Sequence, residues 1–215
     1  WYDEHPDDVV WSEKIDGGSG NLLYDGDTLT QASTRGDGNF GQNVTDCVLE
    51  ADDIPNKIPS VTRVVVRGEF HIRKSYFYQH LSGQFANPRN CASAAVQNKD
   101  PKEIKGLGVR FKVYRVMEPR MASLSEEIAF AKTLGLDTVE LHKGKITKEI
   151  VDDYENGKRA SLDYEIDGLV AQVDNNEKRE DYGMLSDKYP RGAIAFKFKP
   201  QSVIATVKDI EWSLG

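Results

Sequence analysis

The alternation of apolar and polar positions predicts short strands joined by glycine-rich turns, with a few helices between them. Val9 to Trp11 begins an apolar strand, which Asp16, Gly17 and Gly18 stop. Asn21 to Tyr24 and Thr28 to Ser33, joined by Asp25-Gly26-Asp27, predict a hairpin. Thr62 to Ile72 reads as a buried strand broken at Gly68. Leu107 to Val116, Thr138 to His142, Glu165 to Val173, Ala193 to Pro200 and Ser202 to Ile210 read as further strands. Helices are expected over Val44 to Ala51 behind Asn43, over Lys74 to Leu81, and over Cys91 to Gln97 behind Asn90. Two more follow: Leu124 to Leu134, between a Ser123/Glu126 capping box and Gly135, and Thr147 to Asn156, closed by Gly157. Asn175 to Tyr182 reads as a surface turn or short helix. This order predicts an α+β fold: mixed, mostly antiparallel sheets with flanking helices and a ligand cleft between them.

Composition narrows the class. The 215 residues suffice for one large domain or two small ones with a real core. With 39% hydrophobic and 29% charged residues, a soluble globular protein is expected. No apolar run reaches the length of a membrane span, so no membrane partner is expected. Trp1 to Asp8 is too acidic and polar for a signal peptide. The chain does not start with methionine, and a fragment or excised domain is expected. Cys47 and Cys91 lie far apart without a metal-ligand spacing, which suits reduced thiols and a cytoplasmic location. The four histidines form no cluster, and no protein-borne metal site is expected. A net charge of −7 argues against a dedicated nucleic-acid-binding module, yet leaves room for a local basic cleft.

The candidate chemistry centres on Lys14. It stands at a strand end beside Asp16 and the glycine pair, where an amine can attack an electrophile and hold it covalently. Thr34-Arg35-Gly36-Asp37-Gly38 is glycine-dense and suits either a ligand close to the backbone or a surface turn. Arg67 and Glu69 share one strand face, as an ion pair or as the lining of a polar cleft. Asp167-Gly168 repeats the acidic-glycine pair, and Lys197 and Lys199 form a basic stripe or a solvated strand edge. Tyr114 alone reads as core. Taken together, charged residues at glycine-flanked strand ends suit a site for a phosphorylated ligand. Arg35, Lys197 and Lys199 are candidate phosphate contacts. Glu69 and Asp167 are candidate metal or ribose contacts.

From about Val9 to Gly215 the chain also resembles the nucleotidyltransferase, or adenylation, domain of bacterial-type NAD-dependent DNA ligases, which have an ATP-grasp-like ligase fold. The resemblance rests on an ordered set: Lys14-Ile15-Asp16-Gly17, Thr34-Arg35-Gly36-Asp37-Gly38, Arg67-Gly68-Glu69, Phe85-Ala86-Asn87-Pro88-Arg89-Asn90, Asp100-Pro101, Asp167-Gly168 and Ala195-Phe196-Lys197-Phe198. It implies that Lys14 takes AMP from NAD, with magnesium offsetting phosphate charge, and passes it to the 5′-phosphate of nicked double-stranded DNA for use in repair and replication. It further implies a nucleotide site drawn from Glu13, Asp16, Gly17, Arg35, Glu69, Arg89, Tyr114, Asp167, Val170, Gln172, Lys197 and Lys199. In it Arg35 and Glu69 contact the ribose region, Tyr114 stacks on adenine against Val170, and Lys197 contacts the α-phosphate. The adenylation domain is expected over residues 1–202. Residues 203–215 are expected to be the last strand and the start of a linker to an absent OB-fold. A second chain or further domains would carry that OB-fold and the part that binds nicotinamide mononucleotide.

Three positions depart from the family pattern. Ser12 stands where the family has a glutamate that helps read adenine, with Glu13 one place off. Gln172 and Gln97 stand where it has a lysine and an arginine. Lys199 is an added cation that could compensate. Two alternatives therefore stand beside the leading one: an ATP-dependent polynucleotide ligase, and a non-catalytic subunit that binds nucleotide or a nick.

Overall fold

The computed structural model describes residues 1–5, 8–36, 40–186, 189–199, 206, 208 and 209. Strands β1 (Val9–Ile15), β2 (Gly18–Asp25) and β3 (Thr28–Thr34) come first. Helix α1 (Thr45–Leu49), strand β4 (Val64–Ile72) and helices α2 (Lys74–His80) and α3 (Pro88–Val96) follow. Next are β5 (Val109–Glu118), α4 (Leu124–Thr133), β6 (His142–Lys143), α5 (Lys148–Asp153) and α6 (Arg159–Ser161). The chain continues through β7 (Ile166–Val173), α7 (Asn176–Asp181), β8 (Met184–Ser186), β9 (Tyr189–Pro190) and β10 (Ala193–Lys197). Two four-stranded sheets form the frame, one in the order β10-β7-β1-β6 and the other β3-β2-β4-β5. Every pairing between neighbouring strands in them is antiparallel.

Each sheet has its own apolar core. Leu22, Tyr24, Val66, Phe70 and Ile72 of the second sheet pack with Val48, Phe77, Ala92 and Val96 from α1, α2 and α3. Trp11, Leu169 and Ala171 of the first sheet pack with Leu124 and Ile128 of α4 and with Tyr154. Burying one such Leu or Phe contributes about 1.5–3 kcal/mol, so these two cores, rather than the charged groups between them, hold the frame. The chain passes from one sheet to the other at Asp16 and Gly17. A Cβ at Gly17 would lie 2.0 Å from the carbonyl oxygen of Phe70, so the close crossing of β1 into β2 over β4 requires glycine.

Several boundaries differ from expectation. Helix α3 begins at Pro88, whose missing N–H costs nothing at a first helical position. Its cap is Asn87, which accepts from the Asn90 N–H at 2.8 Å, and Asn90 lies inside the helix. Strand β4 runs unbroken through Gly68; the irregularity falls on its partner β5. Of the strand expected at Thr138 to His142, only His142 pairs with β1, while Thr138 makes an isolated bridge to Val113. The helix expected over Thr147 to Asn156 gives way after Asp153 to a wide turn at Tyr154–Lys158. Helix α7 is more than a surface turn, because Asn176 and Arg179 are buried. The capping Ser123 accepts from the Glu126 N–H at 3.2 Å as expected. The strand expected at Ser202 to Ile210 falls almost wholly outside the described residues, as do Asp37 and Gly38.

Candidate active site

The two sheets face each other across a cleft of about 550 Å³. Lys14 is among the residues that line it. Both carboxylate oxygens of Asp167 lie close to the Lys14 Nζ, at 2.8 and 3.0 Å. An irregularity in the β1–β7 ladder permits the pair: Lys14 lies opposite Gly168 and Ile15 opposite Ile166, which leaves Asp167 as the extra residue, while Gly168 lies opposite Lys197 in the β7–β10 ladder. Lys197 Nζ is 3.7 Å from the same aspartate. A Cβ at Gly168 would lie 2.0 Å from the Phe196 carbonyl oxygen, so glycine permits this approach. From the opposite sheet come Glu69 and Arg67 of β4, with Arg35 after β3 and Arg89 near the start of α3. Arg89 is held by Asp16 at 2.8 Å. Arg35, Arg89 and Gly17 also line a second hollow that runs along the small-residue face of α3 past Ser93 to Gln97.

Away from Lys14 the lining changes. Along β7 and its neighbours it passes Val170 and Ser12, then Gln172, Ala193 and Pro190. At about 3.3 Å per residue, Gln172 lies about 13 Å from Gly168. Tyr114, Arg115 and Met117 of β5 face this stretch. The Tyr114 hydroxyl is 2.8 Å from Ser19 Oγ, which fixes the ring. The cleft thus combines a cationic cluster at Lys14 with the aromatic ring of Tyr114 and the aliphatic side chain of Val170.

Burial dominates the electrostatics of two of these groups. It pushes the Glu69 carboxyl up to about 7, against the pull of Lys14, the Gly17 N–H and Arg89. It also raises the Tyr114 phenol, with the Ser19 hydrogen bond pulling the other way. Among the described residues no group of three His, Cys, Asp or Glu side chains is placed to hold a metal. Glu69 and Asp167 suit only a magnesium ion that arrives on nucleotide phosphates, the usual mode for that ion.

The structure brings together most of the expected site: Lys14, Gly17, Arg35, Glu69, Arg89, Tyr114, Val170 and Gln172 line the cleft, Asp167 and Asp16 contact its lysine and its arginine, and Lys197 approaches Asp167. Two expectations need correction. Glu13 is among the residues along the cleft wall, but strand alternation opposes its side chain to Ser12 and Lys14, and its carboxylate accepts from the buried Tyr154 hydroxyl at 2.6 Å. Lys199 lies past the end of β10, exposed, with its backbone N–H donating to Glu155 at 3.4 Å, and it does not line the cleft. Of the two readings of Arg67 and Glu69, the cleft lining holds, and Arg67 Nε donates to Asn21 at 2.9 Å. Sequence reasoning missed Arg115. Its signal was a pair of adjacent polar-capable residues, Tyr114-Arg115, inside an alternating strand.

Two antiparallel sheets closing on a lysine-bearing cationic cleft define a ligase-type nucleotidyltransferase fold. Solved structures share it: a Lig E DNA ligase superposes with TM-score 0.54 at 14% identity, covering 92% of this chain and 66% of that one. The ligase domain of LigD from M. tuberculosis superposes with TM-score 0.50 at 15% identity, covering 88% and 55%. The family model for the NAD-dependent DNA ligase adenylation domain matches residues 3–201, and the chain belongs to that family. Among curated relatives, a DNA ligase from Brachyspira hyodysenteriae is 36% identical over 94% of this chain and 32% of its own length. One from Sorangium cellulosum is 35% identical over 97% and 31%. The chain therefore spans about a third of the length of these relatives.

Proposed function

We propose that this chain is the adenylate-forming part of an NAD-dependent DNA ligase, with Lys14 as nucleophile. The observation that carries the reading is the position of Lys14: it is oriented by Asp167, which Lys197 of the same sheet also approaches, and it shares with Glu69, Arg35 and Arg89 of the other wall a cleft that Tyr114 lines as well. The Lys14 ammonium gives up a proton to solvent, and its Nζ attacks the α-phosphorus of NAD. A P–N bond forms, the bond from that phosphorus to the bridging oxygen breaks, and nicotinamide mononucleotide leaves with the electron pair. Arg35, Arg89 and Lys197 stabilise the charge on the phosphoryl oxygens. Glu69 receives the ribose hydroxyls, while Tyr114 and Val170 sandwich the base. Magnesium, carried by the phosphates, would offset their charge. AMP then passes to the 5′-phosphate of a nick, and the 3′-hydroxyl displaces it to seal the strand.

Sealing, and productive use of NAD, would draw on regions outside this chain, in line with its one-third share of the relatives. The end of the family match at residue 201 supports a domain boundary near 202. Two buried free thiols suit a cytoplasmic protein, and among the described residues no helix is long and apolar enough to cross a membrane. Intact-mass spectrometry tests the reading on the chain as isolated, after NAD with magnesium, and after ATP with magnesium. An added AMP that disappears in Lys14→Ala is expected, discharged by nicotinamide mononucleotide. Loading by ATP alone would move the assignment to the ATP-dependent class. No adduct, even with the nicotinamide-binding region of a relative supplied in trans, would leave a nucleotide-binding subunit.

A further inference from the structure

Strand β5 carries an irregularity with a chemical consequence. Opposite β4, Arg67 pairs with Arg115 but Gly68 pairs with Val113, so one extra residue is accommodated at Tyr114-Arg115. The burial alternation breaks there, and Tyr114 and Arg115 both reach the cleft. Such a bulge re-aims a side chain that simple alternation would have buried.

Arg115 is also clamped. Its Nε donates to Glu127 at 2.8 Å and one Nη at 3.3 Å. Glu127, on α4, is 1% exposed and accepts further bonds from the Val116 N–H at 2.9 Å and from Asn176 at 2.6 Å. Asn176 is in turn bonded by the buried Arg179 of α7. Three elements thus converge to fix one guanidinium, which stays 23% exposed at the cleft. Glu127 occupies only one edge of the guanidinium fork, and N–H donors remain on the other. In the β4–β5 ladder Arg115 lies opposite Arg67, two residues along β4 from Glu69 on the side away from Gly17, and it shares the cleft with Gln172, Ala193 and Pro190 of the other sheet. Gln172 in turn lies opposite Val10, four residues along β1 from Lys14.

We propose that Arg115 is a base-reading residue of the nucleotide site, donating to an acceptor atom on the edge of a purine stacked on Tyr114, and that Glu127 is the residue that positions it. The inference rests on the nucleotide-binding reading above. It does not require Lys14 to react. The base edge there meets three polar side chains: Ser12 and Gln172, each able to donate or accept, and Arg115, which only donates.

The test is an NMR titration of the isotopically labelled chain with AMP and with ribose 5-phosphate, which lacks the base. Arg115→Lys keeps a cation for Glu127 but loses the fork, and Glu127→Gln loosens the clamp. Arg115→Lys is expected to weaken AMP binding about tenfold, the size of one charge-assisted hydrogen bond, and to leave ribose 5-phosphate unchanged. Glu127→Gln is expected to narrow the same AMP-to-ribose-phosphate ratio even where its melting temperature falls. Equal weakening of both ligands would place Arg115 at the phosphate and overturn the proposal. Unchanged AMP affinity in folded Arg115→Lys would overturn it as well. So would an absence of AMP binding to the unsubstituted chain, whereas the Lys14 adduct is read separately by mass.

Discussion

Glu69 offers the sharpest test of the electrostatic reading, because burial outweighs the cations and the Gly17 N–H around it. An unfolded glutamate titrates near 4.5, and in the cleft its carboxyl is pushed up to about 7. At 1.36 kcal/mol per pH unit, the gap corresponds to about 3 kcal/mol. The native state binds this proton more tightly than the unfolded state. The resulting stabilisation is therefore complete below pH 4.5 and is lost as the pH rises through 7. Glu69→Gln keeps the shape and a hydrogen-bond acceptor for the Gly17 N–H, and it removes the titration. The variant should match the unsubstituted chain near pH 4.5 and exceed it by about 2–3 kcal/mol at pH 8.5. Urea unfolding at a series of pH values, read as the difference between the two proteins, isolates this group from every other titration they share. A difference flat to within about 0.5 kcal/mol from pH 4.5 to 8.5 would refute the argument that the carboxyl is desolvated. The same substitution should slow Lys14 adenylation, so that a gain in stability accompanies a loss of function, the trade expected of a strained site.

Four further outcomes follow from named residues. His71 is buried, neither ring nitrogen has a partner among the described residues, and burial, with Lys112 beside it, lowers its pKa to about 4. Stability tied to it is complete above 6.5 and falls as the pH drops toward 4, so His71→Phe should flatten the acid limb of the urea-unfolding profile by about 3 kcal/mol. In Gly168→Ala the new methyl would meet backbone, which cannot rotate away, and differential scanning fluorimetry should show a fall of about 6–12 °C for an overpacking cost of about 3 kcal/mol. Asp167→Asn should slow single-turnover formation of the AMP adduct about tenfold or more, because the Lys14 amine loses its orienting partner. Lys199→Ala, outside the cleft, should leave that rate unchanged when both are followed by mass.

The strands were legible where one face is buried. In β4 from Val64 to Glu69, and in β7 from Leu169 to Val173, buried and part-exposed positions alternate and pin register and face together, and the positions of Glu69 and Arg67 follow from it. The hairpin of β2 and β3 was legible from its turn residues. Irregularities were not, because they depend on the partner strand. The bulge at Tyr114-Arg115 sets the register of β5 against β4, and the only local sign of it is the adjacent pair Tyr114-Arg115 between Val113 and Val116. Glu13 misled for the opposite reason. A resemblance read along the chain made it a near neighbour of the expected glutamate, whereas a one-residue offset in a strand reverses the face. Asn90 and Asn87 competed for the same cap, and Pro88 decides between them, since its N–H-free first turn fits only a helix that begins there.

The three departures from the family pattern gain meaning from where the fold puts them. Ser12 and Gln172 line the cleft from the adjacent strands β1 and β7, on the side of Lys14 away from Gly17, and Gln97 lies in the hollow beside α3. None is at the Lys14–Asp167–Lys197 cluster, and Arg35 and Arg89 remain in place around it. The cations around Lys14 that would stabilise charge on a transferring phosphoryl are thus retained, while Ser12 and Gln172, which would meet the base, and Gln97, in the hollow that Arg35 and Arg89 share, are exchanged. A lost cation at position 172 leaves a carboxamide, able to donate and accept, opposite a clamped Arg115 that only donates. Chemistry at phosphorus needs fixed positive charge near Lys14 and tolerates little substitution. Base reading needs only a complementary set of donors and acceptors, which can be assembled from either wall of the cleft. The substitutions therefore point to a changed way of holding the nucleotide rather than to a disabled reaction centre, and the ratio of AMP to ribose 5-phosphate affinity is where that difference would be measured.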